Sequence, residues 1–202
     1  MVDKQGKATV EDYNKFMNYY PIYKKKVLEA PNLNRFQEAK AKYNLTSREF
    51  ASITVYTDGG WYRKFNEQLR TNPDEKTLLA SKCITTSLEK LPIGAKTIYR
   101  GMSIDNSKEG IKNFLELTEP GGTYINKQVM STTTSRTTAD SFSFGDVSAI
   151  FVIKNKSGRD VSAVSVFHKE KEVLVKPNTK YKIISRKYEE TFNRYTIKLE
   201  EL

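Results

Sequence analysis

The spacing of hydrophobic residues changes near Pro92, and this change narrows the folds open to the chain. Before it, apolar side chains recur every three or four residues, as Phe16 and Tyr20 do, which is typical of helices. After it come short β-branched and aromatic runs separated by turns, which are typical of strands. Helices followed by strands in 202 residues predict one α+β domain, helical over about 1–90 and mainly β over 91–202.

Turn and capping signals set approximate bounds for these elements. We expect helices over residues 12–29 (with an interruption at Pro21), 34–43, 45–57, 61–70, 74–88, 111–117 and 136–144. We expect strands over 97–101, 123–135 (one or two strands), 147–154, 161–167, 171–176, 179–187 and 192–200. The strands are expected to pair in a mostly antiparallel set.

Composition excludes several kinds of chemistry. The one cysteine, Cys83, allows no internal disulfide or cysteine-based zinc site, and the one histidine, His168, cannot form a metal cluster alone. We expect Cys83 to pack in a helix and His168 to lie in an exposed loop. Lysine and arginine exceed the acidic residues by 10, which favours an acidic partner such as a nucleotide, a nucleic acid or an acidic protein face.

The sequence shows no sign of a membrane or export segment. A membrane-spanning helix needs roughly 20 apolar residues in a row, and the chain contains no such run. Residues 1–16 lack the apolar core of a signal peptide. We therefore expect no membrane partner and no signal peptide in this chain.

Three short patches carry residues suited to chemistry. In VSVFHKEKEVLV, two carboxylates, Glu170 and Glu172, interrupt an apolar stretch; in an extended chain residues two apart point to the same side. Arg100 ends an apolar strand and is followed by Gly101, which suits a flat, anionic ligand. A row of hydroxyls at 131–135 can orient a carboxylate. Taken singly, a Glu-Lys-Glu turn and a strand-end arginine are more often solvated than functional, and the hydroxyl row can also be a solvent face.

Together the three patches resemble the arginine, Ser-Thr-Ser and Glu-x-Glu signature of the mono-ADP-ribosyltransferase toxins, in the branch related to the actin-modifying binary toxins. The similarity covers about residues 45–185 in order, through LTSREFASITVYTDGGWYRKFNEQLR, TIYRGM, GGTYINKQVMSTTTS and SGRDVSAVSVFHKEKEVLVKPNTKYKI. It implies helices packed on a mostly antiparallel β-sandwich, with NAD as co-substrate and no metal. It also implies transfer of ADP-ribose to an arginine of a target protein, with release of nicotinamide.

The resemblance assigns catalytic roles to four positions. Glu172 resembles the catalytic glutamate that binds a hydroxyl of the nicotinamide ribose, and Ser131 resembles the serine that holds it. Arg100 is similar to the arginine that contacts the NAD phosphate. Glu170 matches the glutamate that engages the acceptor guanidinium. These residue types suit the chemistry, because a fixed carboxylate stabilises an oxocarbenium-like sugar and a protonated arginine needs a second carboxylate to orient it.

Further positions follow from the same resemblance. Gly101 is expected to offer backbone contacts near the nicotinamide amide, and Tyr62 and Asn66 to line the NAD pocket. Phe167 falls where the family often places an aromatic residue that recognises the target. An aromatic that stacks on nicotinamide is expected after the Ser-Thr-Ser strand, and Phe142 and Phe144 are both candidates.

The chain departs from the family pattern at three points. Thr133 stands where the third motif residue is serine, and it keeps a hydroxyl. Val129 stands where an aromatic often precedes Ser131 by two residues. A second phosphate-binding arginine is not evident, and Arg136 is a candidate. None of these departures involves Arg100, Ser131 or Glu172, so an active enzyme is expected.

Two other functions remain open from the sequence: an NAD glycohydrolase, and a catalytically dead basic binding module. Glu170 argues against the first, and lysines scattered rather than banded along the chain argue against the second and against a nucleic-acid partner. The target is expected to be actin or another host protein, reached with a separate delivery component. The chain would be secreted or injected and would act in the cytoplasm of the target cell, with toxin, effector and bacteriophage origins all open.

Overall fold

The computed structural model describes residues 6–20, 34–58 and 60–202, and in these ranges the helices precede most strands. The helices are α1 (Val10–Tyr19), α2 (Asn34–Lys42), α3 (Ser47–Thr57), α4 (Tyr62–Arg70), α5 (Glu75–Leu88), α6 (Lys108–Leu117) and α7 (Arg136–Ser141). The strands are β1 (Thr97–Ser103), β2 (Thr123–Asn126), β3 (Met130–Thr133), β4 (Ser148–Lys154), β5 (Arg159–Asp160), β6 (Glu172–Val175), β7 (Thr179–Glu189) and β8 (Arg194–Glu201). Two short 3₁₀ turns cover His168–Glu170 and Glu190–Phe192. The predicted α+β class is confirmed.

Side-chain caps fix where several of the helices begin. The backbone N–H of Glu49 donates to Thr46 Oγ1, and the N–H of Thr46 donates back to the Glu49 carboxylate, so α3 starts with a capping box. Ser107 caps α6 without such a reciprocal bond, by accepting from the N–H of Gly110, and the helix therefore begins three residues before the predicted Ile111. The helix predicted over 12–29 is observed to Tyr19, and its part beyond residue 20 lies outside the described residues.

The eight strands form one sheet in the order β2-β7-β8-β4-β1-β3-β6-β5. Neighbouring strands are antiparallel except β4 and β8, which are parallel. β1 and β3 are paired at one position, Tyr99 with Thr133, whereas β1 and β4 are paired along seven. The sheet therefore consists of a five-stranded part and a three-stranded part that separate beyond this single pair.

The three-stranded part lies between two hydrophobic cores. Val173 and Val175 of β6 pack with Ile98 and Phe151 of the five-stranded part. Leu174, on the opposite face of β6, packs with the buried side chains of the helices. The layers are therefore helices, three strands and five strands, which is the predicted arrangement of helices on a mostly antiparallel β-sandwich. Cys83 is fully buried in α5, as its helical context predicts.

One predicted strand is wrong, and several bounds shift. Residues 161–167 form turns instead of a strand, and the N–H of Ser165 donates to the carbonyl of Val161. Val161 and Val164 are both fully buried against the helices, so this segment buries side chains three residues apart rather than two. The stretch 123–135 resolves into β2 and β3, and α7 ends at Ser141 rather than at residue 144. None of the described helices is long and apolar enough to cross a membrane.

Candidate active site

A cleft of about 430 Å³ is lined by residues of both β1 and β3, at the place where these strands separate. The helical layer contributes one wall through α3 and α4. The opposite wall consists of β1 and the adjoining α7. The turn that precedes β6 closes one side. The wall residues include Tyr56, Thr57, Tyr62, Arg63, Tyr99, Arg100, Gly101, Ser131, Thr133, Phe142, Phe144, Phe167, Glu170 and Glu172.

Glu172 is the first residue of β6 and is only 6% exposed. The Ser131 hydroxyl lies 2.6 Å from Glu172 Oε1 and the Ser165 hydroxyl 3.2 Å from Oε2, and each donates a hydrogen bond to its own oxygen. Burial raises the pKa of Glu172 to about 7, against the opposing effect of the two hydroxyls, and nearby Glu170 raises it further. The carboxyl group is therefore oriented at both oxygens and titrates near neutral pH.

Arg100 fills the gap between the two parts of the sheet. Its Nη1 donates to the carbonyl oxygen of Ser131 across 2.7 Å, next to the single pair of β1 and β3 at Tyr99 and Thr133. Within the described part of the chain, its Nε and Nη2 have no hydrogen-bond partner. The guanidinium is thus anchored at one nitrogen and presents its remaining donors to the cleft.

Glu170 reaches the same cleft, but not for the reason that the sequence suggests. It ends the 3₁₀ turn His168–Glu170, and Lys171 then has a left-handed backbone with a φ of 49°. The two glutamates are therefore not on one extended strand. The Thr133 hydroxyl holds this turn by donating to the carbonyl of Glu170 across 2.6 Å. Burial raises the pKa of Glu170, and Phe167 and His168 beside it are exposed.

Glycine is required at position 101 for packing, in addition to its predicted backbone contact with NAD. A Cβ atom at this position would overlap the carbonyl oxygen of Ala139, so glycine allows α7 to lie directly on β1. Helix α7 leads to Phe142 and Phe144, which both line the cleft and are 44% and 63% exposed. Their positions do not single out one of them as the aromatic that stacks on nicotinamide.

Tyr62 and Asn66 occupy different positions, although both are predicted to line the pocket. Tyr62 lies in the cleft wall, whereas Asn66 is buried and is absent from that wall. Asn66 Nδ2 donates to the hydroxyl of Tyr56 across 3.0 Å, and that hydroxyl donates to the carbonyl of Val129. Asn66 therefore lies behind Tyr56, which itself lines the cleft.

Arg136 is close to the cleft without forming its wall. Its guanidinium carbon lies 5.9 Å from the ring centroid of Tyr99, and its Nε is 3.2 Å from a carboxylate oxygen of Asp140. Tyr99 itself faces the cleft. In the described ranges, Arg63 is the cation that joins Arg100 in the wall.

Sequence reasoning missed Ser165, Tyr56, Tyr99 and Arg63. Ser165 offered a usable signal, because a lone serine in the apolar run VSVF is expected to be buried and a buried hydroxyl needs a partner. The other three lie on elements whose orientation toward the cleft depends on packing between layers. Over residues 6–20, 34–58 and 60–202, no three His, Cys, Asp or Glu side chains are grouped so as to hold a metal ion.

Most of the chain matches a known protein family. The family model of the ADP-ribosyltransferase exoenzymes matches residues 32–202. The chain belongs to this family. It is 30% identical over 158 residues to Mav of Mycobacterium avium (strain 104) and 30% identical over 146 residues to the NAD(+)–protein-arginine ADP-ribosyltransferase Tre1 of Serratia proteamaculans (strain 568).

These similarities differ in how much of each protein they cover. The two alignments cover 78% and 70% of this chain, but the chain spans only 18% and 30% of the lengths of Mav and Tre1. The crystal structure of the ADP-ribosyltransferase HopU1 of Pseudomonas syringae pv. Tomato DC3000 superposes with a TM-score of 0.78 at 17% identity. That superposition covers 98% of this chain and 99% of HopU1, so the whole fold is shared.

Proposed function

We propose that the chain transfers ADP-ribose from NAD to an arginine of a target protein and releases nicotinamide. The observation that carries this proposal is that one cleft holds two glutamates in different surroundings. Glu172 is buried and bonded by two serines, whereas Glu170 lies on a more exposed turn beside Phe167. The reaction involves two positive charges, one on the sugar and one on the acceptor guanidinium, and each carboxylate matches one of them.

Glu172 would stabilise the sugar as the glycosidic bond breaks. Nicotinamide leaves with the bonding electrons, and positive charge develops on the ribose ring. A carboxylate that Ser131 and Ser165 hold in place needs no reorganisation to meet that charge, and little solvent screens it in the cleft. The interaction is stronger in the transition state than with uncharged ribose, which is the condition for catalysis.

The remaining wall residues would bind NAD. Arg100 and Arg63 face the cleft from its strand side and its helical side, and the NAD diphosphate carries one negative charge for each of them. Gly101 would offer its backbone to the nicotinamide amide. Tyr62 offers an aromatic surface for the rings of NAD, and Asn66 would support the site from behind Tyr56.

Glu170 and Phe167 would engage the acceptor. An arginine is protonated at ordinary pH and must lose a proton as one of its nitrogens bonds to ribose C1. Glu170 would orient that guanidinium and take the proton, and its position in the same cleft as Glu172 supports this role. Phe167 is 48% exposed beside it and offers an apolar contact to the surface around the target arginine.

The target would be a protein with an accessible arginine, such as actin or another host protein. The formal net charge of +10 favours an acidic surface around that arginine. We propose that the chain reaches its target after secretion or injection and acts in the cytoplasm of the recipient cell. A separate delivery component belongs to the same proposal.

The test is incubation with labelled NAD, with and without a cell lysate. Labelled protein whose label is released by hydroxylamine at the rate typical of ADP-ribosylarginine is expected. Release of nicotinamide without labelled protein would instead indicate an NAD glycohydrolase, and no reaction with NAD would indicate a binding module. Mass spectrometry of the labelled lysate protein would then identify the target.

Matched variants separate the two glutamates. Glu172→Gln should lower NAD cleavage and protein labelling together, by a factor on the order of 10²–10³, because the fixed charge is lost. Glu170→Gln should lose labelling while keeping part of the NAD cleavage. Glu116→Gln, an exposed glutamate on α6, is the control and should match the wild type. Unchanged labelling in Glu170→Gln would refute arginine as the acceptor.

A further inference from the structure

The hydroxyl of Ser165 connects the buried carboxylate to the turn that carries Phe167. Ser165 is 0% exposed, and its Oγ lies 3.2 Å from Glu172 Oε2 and 3.2 Å from the backbone nitrogen of Phe167. A hydroxyl has one proton to donate, and a backbone N–H can only donate. The bonds therefore run in one direction, from the Phe167 N–H to Ser165 Oγ and from the Ser165 hydroxyl to Glu172.

The backbone of residues 164–166 is held by contacts with α3 that do not use this hydroxyl. The N–H of Val166 donates to Thr57 Oγ1 across 3.2 Å, and Thr54 Oγ1 donates to the carbonyl of Val164 across 3.4 Å. The side chain of Val164 is itself fully buried against the helices. Loss of the Ser165 hydroxyl would therefore remove the acceptor of the Phe167 N–H but leave residues 164–166 in place, because their anchors on α3 remain.

We propose that Ser165 is a positioning residue for Glu172: it fixes the rotation of the carboxylate by bonding Oε2 while Ser131 bonds Oε1. This inference rests on the proposed transferase function for its effect on rate. With a hydrogen bond from Ser131 alone, the plane of the carboxylate could still rotate about that hydrogen bond. Two donors on different oxygens hold its plane, and each oxygen can still accept a bond from the ribose, because a carboxylate oxygen accepts more than one.

The same bond affects the titration of Glu172. Among the described residues, the ionisable side chains that share the cleft with this carboxyl are Tyr56 on α3, Tyr62 and Arg63 on α4, Tyr99 and Arg100 on β1, and Glu170 on the preceding turn. The charge of Glu170 raises the pKa of Glu172. Both serine hydroxyls favour the ionised form, so removal of one raises the pKa of Glu172 beyond its present value. A catalytic carboxylate must be ionised, so the pH at which activity falls on the acid side should move upward.

The experiment compares Ser165→Ala with the control Ser162→Ala. The control removes a hydroxyl from the same segment, but the Ser162 side chain has no hydrogen bond to Glu172. Nicotinamide release is measured across pH, together with protein labelling and the thermal midpoint. Ser165→Ala should lower kcat/KM for NAD by a factor on the order of ten, since a hydrogen bond to a charged group is lost. Labelling should fall by the same factor, and the acid limb should move to higher pH, while Ser162→Ala matches the wild type.

Two results would overturn the inference. The first is a rate and a pH profile in Ser165→Ala that match the wild type. The second is a lower rate with an unshifted acid limb and a lower thermal midpoint, which would mean that Ser165 only stabilises the fold. A carbon-13 NMR titration of the Glu172 carboxyl in both proteins gives the pKa change without NAD. If the wild type does not react with NAD but this pKa rises in Ser165→Ala, the proposed function fails and the contact between Ser165 and Glu172 stands.

Discussion

Replacing Glu172 with glutamine should stabilise the fold at and above neutral pH, at the same time as it removes activity. Burial raises the pKa of this carboxyl from its ordinary 4.5 to about 7 in the folded chain. Between these two values the folded chain keeps a proton that the unfolded chain has lost. The free energy of unfolding therefore decreases as the pH rises through this window, and the loss is complete above the folded pKa.

The size of the effect follows from the difference of about 2.5 in pKa, which corresponds to ~3 kcal/mol of unfolding free energy. Glutamine keeps the volume of Glu172, can accept from Ser131 at its oxygen and can donate to Ser165 from its nitrogen. It lacks the charge that is costly to bury. The variant should thus be more stable than the wild type by up to ~3 kcal/mol above about pH 7, and nearly equal to it below about pH 4.5.

Thermal unfolding followed by circular dichroism at about pH 5, 6, 7 and 8 would measure this. For a domain of this size ~3 kcal/mol corresponds to an increase of roughly 6–12 °C in Tm. Glu116→Gln is the control, because its side chain is exposed on α6 and surface substitutions usually change stability by less than about 0.5 kcal/mol. A difference between Glu172→Gln and the wild type that stays constant or shrinks as the pH rises would refute the claim that a desolvated carboxylate destabilises the cleft.

Three further predictions concern the cleft. The kcat/KM for NAD cleavage should fall about tenfold per pH unit below roughly pH 7, because Glu172 must be ionised and burial raises its pKa to about 7; a profile that stays flat down to pH 5 would contradict this. Arg100→Lys should raise the KM for NAD, measured by initial rates, by a factor on the order of ten or more. The lysine side chain has a single nitrogen, so it cannot bond the Ser131 carbonyl and also offer the planar pair of donors that a guanidinium offers to a phosphate. Gly101→Ala should lower Tm and activity together, because the added Cβ would overlap the Ala139 carbonyl and displace α7 from β1. A wild-type Tm would contradict this, because it would mean that α7 can shift at no cost in stability.

Much of the fold was predictable because it depends on local patterns. Helical spacing, capping residues and turn signals are properties of neighbouring residues, and the capping box formed by Thr46 and Glu49 starts α3 within two residues of the predicted bound. The same locality explains the error at 161–167. Valines separated by serines are typical of a strand, but the backbone of this segment is satisfied by its own turn and by Thr57, 109 residues away from Val166.

The sequence by itself determined the class of the fold and the family, because the order of motifs along the chain can be read without knowledge of contacts. It also predicted Arg100, Ser131 and Glu172 as site residues. Only the tertiary structure decided how these residues meet. It placed Glu170 on a separate turn, put Asn66 behind Tyr56, and gave Glu172 a second donor in Ser165. These relations depend on packing between layers that are distant in sequence, and local spacing carries no information about such contacts.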